Sequence, residues 1–322
     1  MLKKEDGRGY SMEQLYAYLG ITRQALHQAQ KAQKNALNLE VEVLAQVEKI
    51  RSKHPRMGLR SMYYSLGIDS MGINKFEKLV SRYNLEVQVK RKRIVTTDSK
   101  GAKHYPNLIN SLIINGINQL IVADITYYQI DGQTLYIFTL KDVYSQHILS
   151  LVAADNMLAL NALLTLVDFR KIRGPGPFPE LIHQSDNGSQ YDAFIYKSEL
   201  LKMGITISRA RNSLENGSSE SLNDIIKNDY LFDRKKVKNL RKLKATLKDL
   251  KWKLNNEKAV PSIGYMTVAE FERYIIDLPE HQRPIKKLYD FDKDEKGHGL
   301  RFHDQTGGFS RHKLWNCGRQ LT

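Results

Sequence analysis

Residues 117–154, INQLIVADITYYQIDGQTLYIFTLKDVYSQHILSLVAA, restrict the fold more than any other stretch of the 322-residue chain. Three runs of β-branched, aromatic and aliphatic residues, at roughly 119–129, 134–141 and 147–153, are separated by Asp131-Gly132 and by the short DVYSQ segment. Runs of this length joined by such tight turns predict an antiparallel meander. The period then lengthens. NMLALNALLTLVDFRKI (156–172) reads as an apolar helix ended by RGPGPFP, ELIH as a short buried strand, and YDAFIYKSELLKM as a helix. GITISR follows as another strand, and a last helical stretch begins near Ser218.

The order βββαβαβα is the ribonuclease-H-like arrangement, so an α/β fold with a mixed sheet is expected over 117–232. Small helical domains precede it. Residues 10–32 read as two short helices about a Gly-centred turn, with Leu15 and Leu19, then Ala25 and Ala29, sharing faces and Thr22 capping the second helix. A segment 1–35 of this kind resembles a helix-turn-helix that would reach DNA through residues such as Arg23. A helical domain is expected over 36–86, with Val43, Val47 and Ile50 inward, a stop at HPRMG, and Phe76, Leu79, Val80 and Tyr83 inward again. Residues 87–116 read as a basic linker, with Lys90, Arg91, Lys92 and Arg93 against phosphate. In 233–279, Val237, Leu240, Leu243, Leu247, Leu250 and Leu254 form the apolar stripe of a basic helix whose other face offers Arg241 and Lys244. Residues 280–322 are polar and aperiodic, an irregular or partly disordered tail.

Charge narrows the partner. Fifty Lys and Arg against 35 Asp and Glu leave a net +15, an excess that favours a polyanion such as nucleic acid. No run reaches the ~18 apolar residues of a membrane span, and the N-terminus has no secretory signal. The single cysteine, Cys317, excludes an internal disulfide and a Cys-based zinc cluster and fits a reducing cytoplasm.

Three acidic residues occupy special places. Asp124 lies mid-strand in LIVADITYY, where a carboxylate is costly unless paired or bound to a cation. Asp186 follows the LIH strand, with Gly188 allowing the backbone to turn sharply behind it. Glu220 opens the helix SSESLNDIIKNDYL; Glu215, in the preceding loop, is its weaker rival. In a ribonuclease-H-like sheet the first strand neighbours the end of the fourth and the last helix crosses both, so the three carboxylates could converge. Phosphodiester chemistry gives a reason for them. Two Mg²⁺ ions ~3.5–4 Å apart serve in-line displacement, and Mg²⁺ takes hard oxygen ligands.

VADITYY, HQSDNGSQY and SSESLNDIIKNDY resemble the three signature blocks of the DDE transposase and retroviral-integrase superfamily, most closely the OrfB-type insertion-sequence transposases of the IS-three group. The 33 residues between Asp186 and Glu220 fit that group's spacing. KHPRMGLRSMYYSLG and INKFEKLVSRYNLEV resemble its helical domain, and LNNEKAVPSIGYMTVAEFE its later block, although Lys258-Ala259-Val260 stands where the group has Arg-Pro-His. The resemblance implies that Asp124, Asp186 and Glu220 bind two Mg²⁺ ions, with Mn²⁺ able to substitute, and that Lys227 and Asn223 contact DNA. His183 reads as a structural histidine. The implied activity is strand cleavage and 3′-hydroxyl transfer at element ends. Its partners would be double-stranded DNA with terminal inverted repeats and target DNA, a homo-oligomeric synaptic assembly, and an upstream helix-turn-helix protein by fusion or association. The implied location is the bacterial cytoplasm, at the nucleoid and without a membrane. An inactive or domesticated DNA-binding derivative and a nuclease on the same fold are the alternatives.

Overall fold

The computed structural model describes residues 11–87, 105–210, 213–232 and 237–288. The basic run Lys90–Arg93 and most of the polar tail lie outside them. The chain divides into two compact units, residues 1–53 with 68–86, and residues 54–67 with 87–322.

In the first unit α1 (Met12–Leu19) opens with a capping box between Ser11 and Gln14 and closes on Gly20, in the left-handed region at φ 62°. Thr22 Oγ1 then accepts from the Ala25 N–H at 3.0 Å, the cap expected from the sequence. The helix it starts does not stop near residue 32. As α2 it runs from Arg23 to Lys53, 31 residues, straight through the expected break between 35 and 36. Residues 21–54 contain neither Gly nor Pro, so nothing local ends the helix. Val43, Val47 and Ile50 are buried. So are Phe76, Leu79 and Val80 of α4 (Ile73–Arg82). The Arg51 guanidinium donates to Leu85 O and Arg82 pairs with Glu40, tying α2 to α4 and the turn after it.

The second unit begins with His54 and α3 (Leu59–Leu66). A two-residue strand β1 (Ile113–Ile114) precedes the meander β2 (Leu120–Ile130), β3 (Gln133–Asp142) and β4 (Ile148–Ala154). Asp131 and Gly132 turn at φ 46° and 82°, the two positive values a type I′ hairpin turn requires. After α5 (Ala159–Arg173) come β5 (Ile182–Ser185), α6 (Ser189–Asp192), α7 (Phe194–Lys202) and β6 (Thr206–Arg209). Next are α8 (Gly217–Asp224), a π turn at Ile225–Tyr230, α9 (Leu240–Asn256), α10 (Val268–Asp277) and β7 (Lys286–Lys287), which pairs with β1.

The main sheet has the order β4-β3-β2-β5-β6. The meander is antiparallel, and β5 and β6 continue it in parallel, with Val122 opposite Gln184. This is the mixed ribonuclease-H-like sheet expected from the element order. Ile121, Ala123, Phe138 and Leu140 pack on Leu166 and Phe169 of α5 and Tyr196 and Leu200 of α7. The other face is covered in two parts. Leu120 and Val122 meet Phe271 and Ile275 of α10, while Tyr128 and Ile130 meet Leu222, Ile226 and the leucine stripe of α9. Asp124 falls between the two.

Candidate active site

Asp124 stands in mid-strand with its side chain partly buried. Its Oδ1 accepts from the Ile125 N–H at 2.9 Å and its Oδ2 from the Asn223 amide at 2.7 Å. Burial pushes the carboxyl up to about 7, with the charge of Asp186 adding to the rise and Glu220 adding less. The Ile125 N–H and the charge of Lys227 pull the other way. Asp124 therefore senses the charges of both other carboxylates, and its ionised form is poorly supported by protein groups alone.

Asp186 is exposed just beyond β5. The parallel pairing of β5 with β2 places this strand end beside Asp124. Asp186 Oδ1 accepts from the Gly188 N–H at 3.0 Å, while the Asn187 amide donates to Ala210 O. The expected reason for Gly188 needs correction. Its φ of −60° and ψ of 136° suit any residue. What the position lacks is room, because a Cβ there would lie 2.9 Å from Asp186 Oδ1 and 3.1 Å from Gln190 Oε1. Glycine clears the space in which the carboxylate rests.

Glu220 lies in the first turn of α8 and is exposed. Asn223, three residues on, is buried and committed to Asp124. Lys227 lies in the π turn, its Nζ 4.9 Å from the centre of the Tyr127 ring. Glu215 is buried at 3% exposure, away from solvent. Among the described residues no group of three His, Cys, Asp or Glu side chains is already gathered as a metal-holding cluster. α8, which carries Glu220, packs on β2, and Asp124 senses both other acids without the three being drawn into a closed set.

His183 is fully buried, its Nε2 2.8 Å from the Tyr196 hydroxyl and its ring against Tyr191 and Tyr196. Burial, with the Arg209 charge adding, lowers its pKa to about 3. It is a neutral structural ring. Of the expected DNA contacts, Arg23 on α2 and Arg241 and Lys244 on α9 are exposed.

Two neighbours went unnoticed in the sequence. Arg209, at the end of β6, is buried and donates to Ser185 Oγ and Tyr191 O, bracing the strand end that carries Asp186. Lys141 is buried on β3, opposite Val122, and reaches Ser218 Oγ at 3.4 Å. Burial lowers its pKa to about 8. Each basic residue interrupts or ends an apolar strand, TLKD and ISRA, and that was the available signal.

Residues 115–213 match the integrase core domain family. The IS600 31 kDa protein of Shigella sonnei, itself described as uncharacterized, is 32% identical over 165 residues, 50% of this chain and 60% of that protein. The transposase for insertion sequence element IS629, also of Shigella sonnei, is 26% identical over 229 residues, covering 68% and 75%. These likenesses support a place in the DDE transposase and integrase superfamily. Among solved structures, the HTLV-2 integrase catalytic core domain in complex with magnesium is 18% identical, with a TM-score of 0.39, covering 48% of this chain and 97% of that chain. No helix of the described residues is long and apolar enough to cross a membrane.

Proposed function

We infer that this chain is an insertion-sequence transposase of the OrfB type, which cuts DNA at element ends and joins the freed 3′-hydroxyl to a second strand. The observation that carries this reading is the carboxyl of Asp124, mid-strand on β2, destabilised by burial and by the charges of Asp186 beyond the neighbouring β5 and Glu220 on α8. Such a charge is supported best by a cation, and the donors offered are hard oxygens, which suit Mg²⁺ or Mn²⁺. Asp124, Asp186 and Glu220 would hold the metal, two ions in this reading, and these would supply a lowered pKa for the attacking hydroxyl and neutralise charge at phosphorus.

The remaining work falls to the chain. Asn223 orients Asp124, while Gly188 and the Gly188 N–H orient Asp186. Lys227 offers a cation to a phosphate beside the acids. Arg23, Arg241 and Lys244, with Lys90, Arg91, Lys92 and Arg93, would position the duplex. Terminal inverted repeats and target DNA are the substrates of this reading. Holding two ends together calls for a dimer or larger assembly, with the helical segments acting as DNA-binding modules ahead of the 117–232 core. An upstream helix-turn-helix protein, fused or associated, and action at the nucleoid complete it.

Incubation with duplexes ending in the element's inverted repeats, in Mg²⁺, scores nicking and joining. Asp124→Asn, Asp186→Asn and Glu220→Gln are expected to keep duplex binding and lose both reactions. Joining by all three variants at the parent rate would sink the reading. Nicking without joining in the parent would indicate the nuclease, and binding alone an inactive derivative.

A further inference from the structure

We propose that residues 54–67 form a strap that fixes the π turn after the Glu220 helix, with His54 and Arg56 as positioning residues that aim Lys227. The inference rests on the transposase reading for its consequence, and on contacts within the larger unit for its support.

The α-helix ends at Asp224 and the next six residues widen into a π turn. In an uninterrupted α-helix, Lys227 would lie within about 20° of Glu220, seven residues earlier. A wider turn alters that angle, so the direction of Lys227 depends on the π turn being kept. Such turns are rare and are found frequently at functional sites. This one is held from outside at its far end.

The Arg56 guanidinium donates to Asn228 O and lies 4.0 Å over the Phe232 ring. His54 is completely buried, with Nδ1 2.6 Å from the Tyr230 hydroxyl and Nε2 3.3 Å from Glu257 Oε2. A neutral imidazole satisfies both contacts, accepting from Tyr230 and donating to Glu257. Burial supports that state by lowering the His54 pKa to about 4. The other end of the strap is anchored separately. Ser65 Oγ accepts from the Ala259 N–H at 2.8 Å, and the Tyr64 ring stacks on Tyr265 at 4.4 Å. The strap thus joins the block at 257–265 to the tip of the catalytic helix. Residue 53, the end of α2, precedes it directly in the chain.

A double-mutant cycle separates aiming from mere bracing. Arg56→Gln and Tyr230→Phe are made alone and on Lys227→Ala, in the full chain. Affinity for a fluorescein-labelled duplex of fixed sequence is followed against salt, and joining rate at saturating DNA is followed alongside. Lys227→Ala should flatten the salt slope by roughly one phosphate contact. Each strap variant should flatten it comparably and slow joining by about 10-fold, yet change neither by more than about 2-fold on Lys227→Ala. Equal losses in both backgrounds would overturn the proposal. Tyr230→Phe removes one hydroxyl and carries the test if Arg56→Gln fails to fold. A parent chain that binds but never joins would end the transposase reading and still leave the binding cycle decisive.

Discussion

The turn from Asp186 to Gly188 holds a carboxylate just beyond β5 by leaving space beside it. At Gly188 an alanine would meet no backbone strain, since φ is −60°. The unfolded chain would lose freedom, which by itself stabilises by roughly 0.4–1 kcal/mol. Its Cβ would nevertheless fall 2.9 Å from Asp186 Oδ1, and the end of an exposed side chain is the part that yields. Gly188→Ala is therefore expected to melt at or slightly above the parent temperature while joining slows by about 10- to 100-fold, as for lost outer support of a metal ligand. Calorimetry and the joining assay on one preparation check both halves. A fall in stability with unchanged rate would place the role of Gly188 in folding instead.

Among the elements, α10 is tied to the β3–β4 loop and to the end of α5 through one buried carboxylate. Glu272 accepts from Ser145 Oγ at 2.6 Å and from both terminal nitrogens of Arg173, and lies 3.0 Å from His147 Nδ1. Burial opposes its charge, but His147 and Arg173 outweigh it and hold the carboxyl at about 2. The unfolded carboxyl titrates near 4.5, so the network's contribution is full above that pH and is lost as pH falls towards 2. The shift corresponds to about 3 kcal/mol. Glu272→Gln should destabilise the chain by a similar amount at pH 7 and flatten the acid limb between pH 4.5 and 2, read by urea melts across that range. None of this network was visible in the sequence, because its members lie far apart and each is ordinary alone. The strands were legible, since alternation and an Asp-Gly turn act over a few residues. So was the stripe of α9, where Leu243, Leu247, Leu250 and Leu254 are all buried. The length of α2 was missed because helix-forming residues, rather than an apolar period, carry its exposed first half. The π turn was missed for a similar reason: NDIIKNDY reads as α-helix, and the groups that hold it come from residues 54–56. Asp124, Asp186 and Glu220 stood out as acids in unusual contexts, whereas the commitment of Asn223 to Asp124 needed the fold.

For the whole molecule the net charge of +15 matters only where it can meet phosphate. α9 buries its leucines against the sheet and turns Arg241 and Lys244 to solvent. Such a face can serve either solubility or DNA. The two roles differ in their response to salt: each phosphate neutralised releases condensed counterions and steepens the fall of log K against log salt by about 0.9, whereas a solvated face releases none. Arg241→Ala with Lys244→Ala should flatten the slope by roughly 2. Stability should change by no more than about 0.5 kcal/mol, because both side chains are exposed. Anisotropy titrations of a labelled duplex at several salt concentrations measure the slope, and thermal melts guard against loss of fold. An unchanged slope would confine this face to solvation and shift the duplex footprint to other basic residues, Arg23 and the run Lys90, Arg91, Lys92 and Arg93 among them.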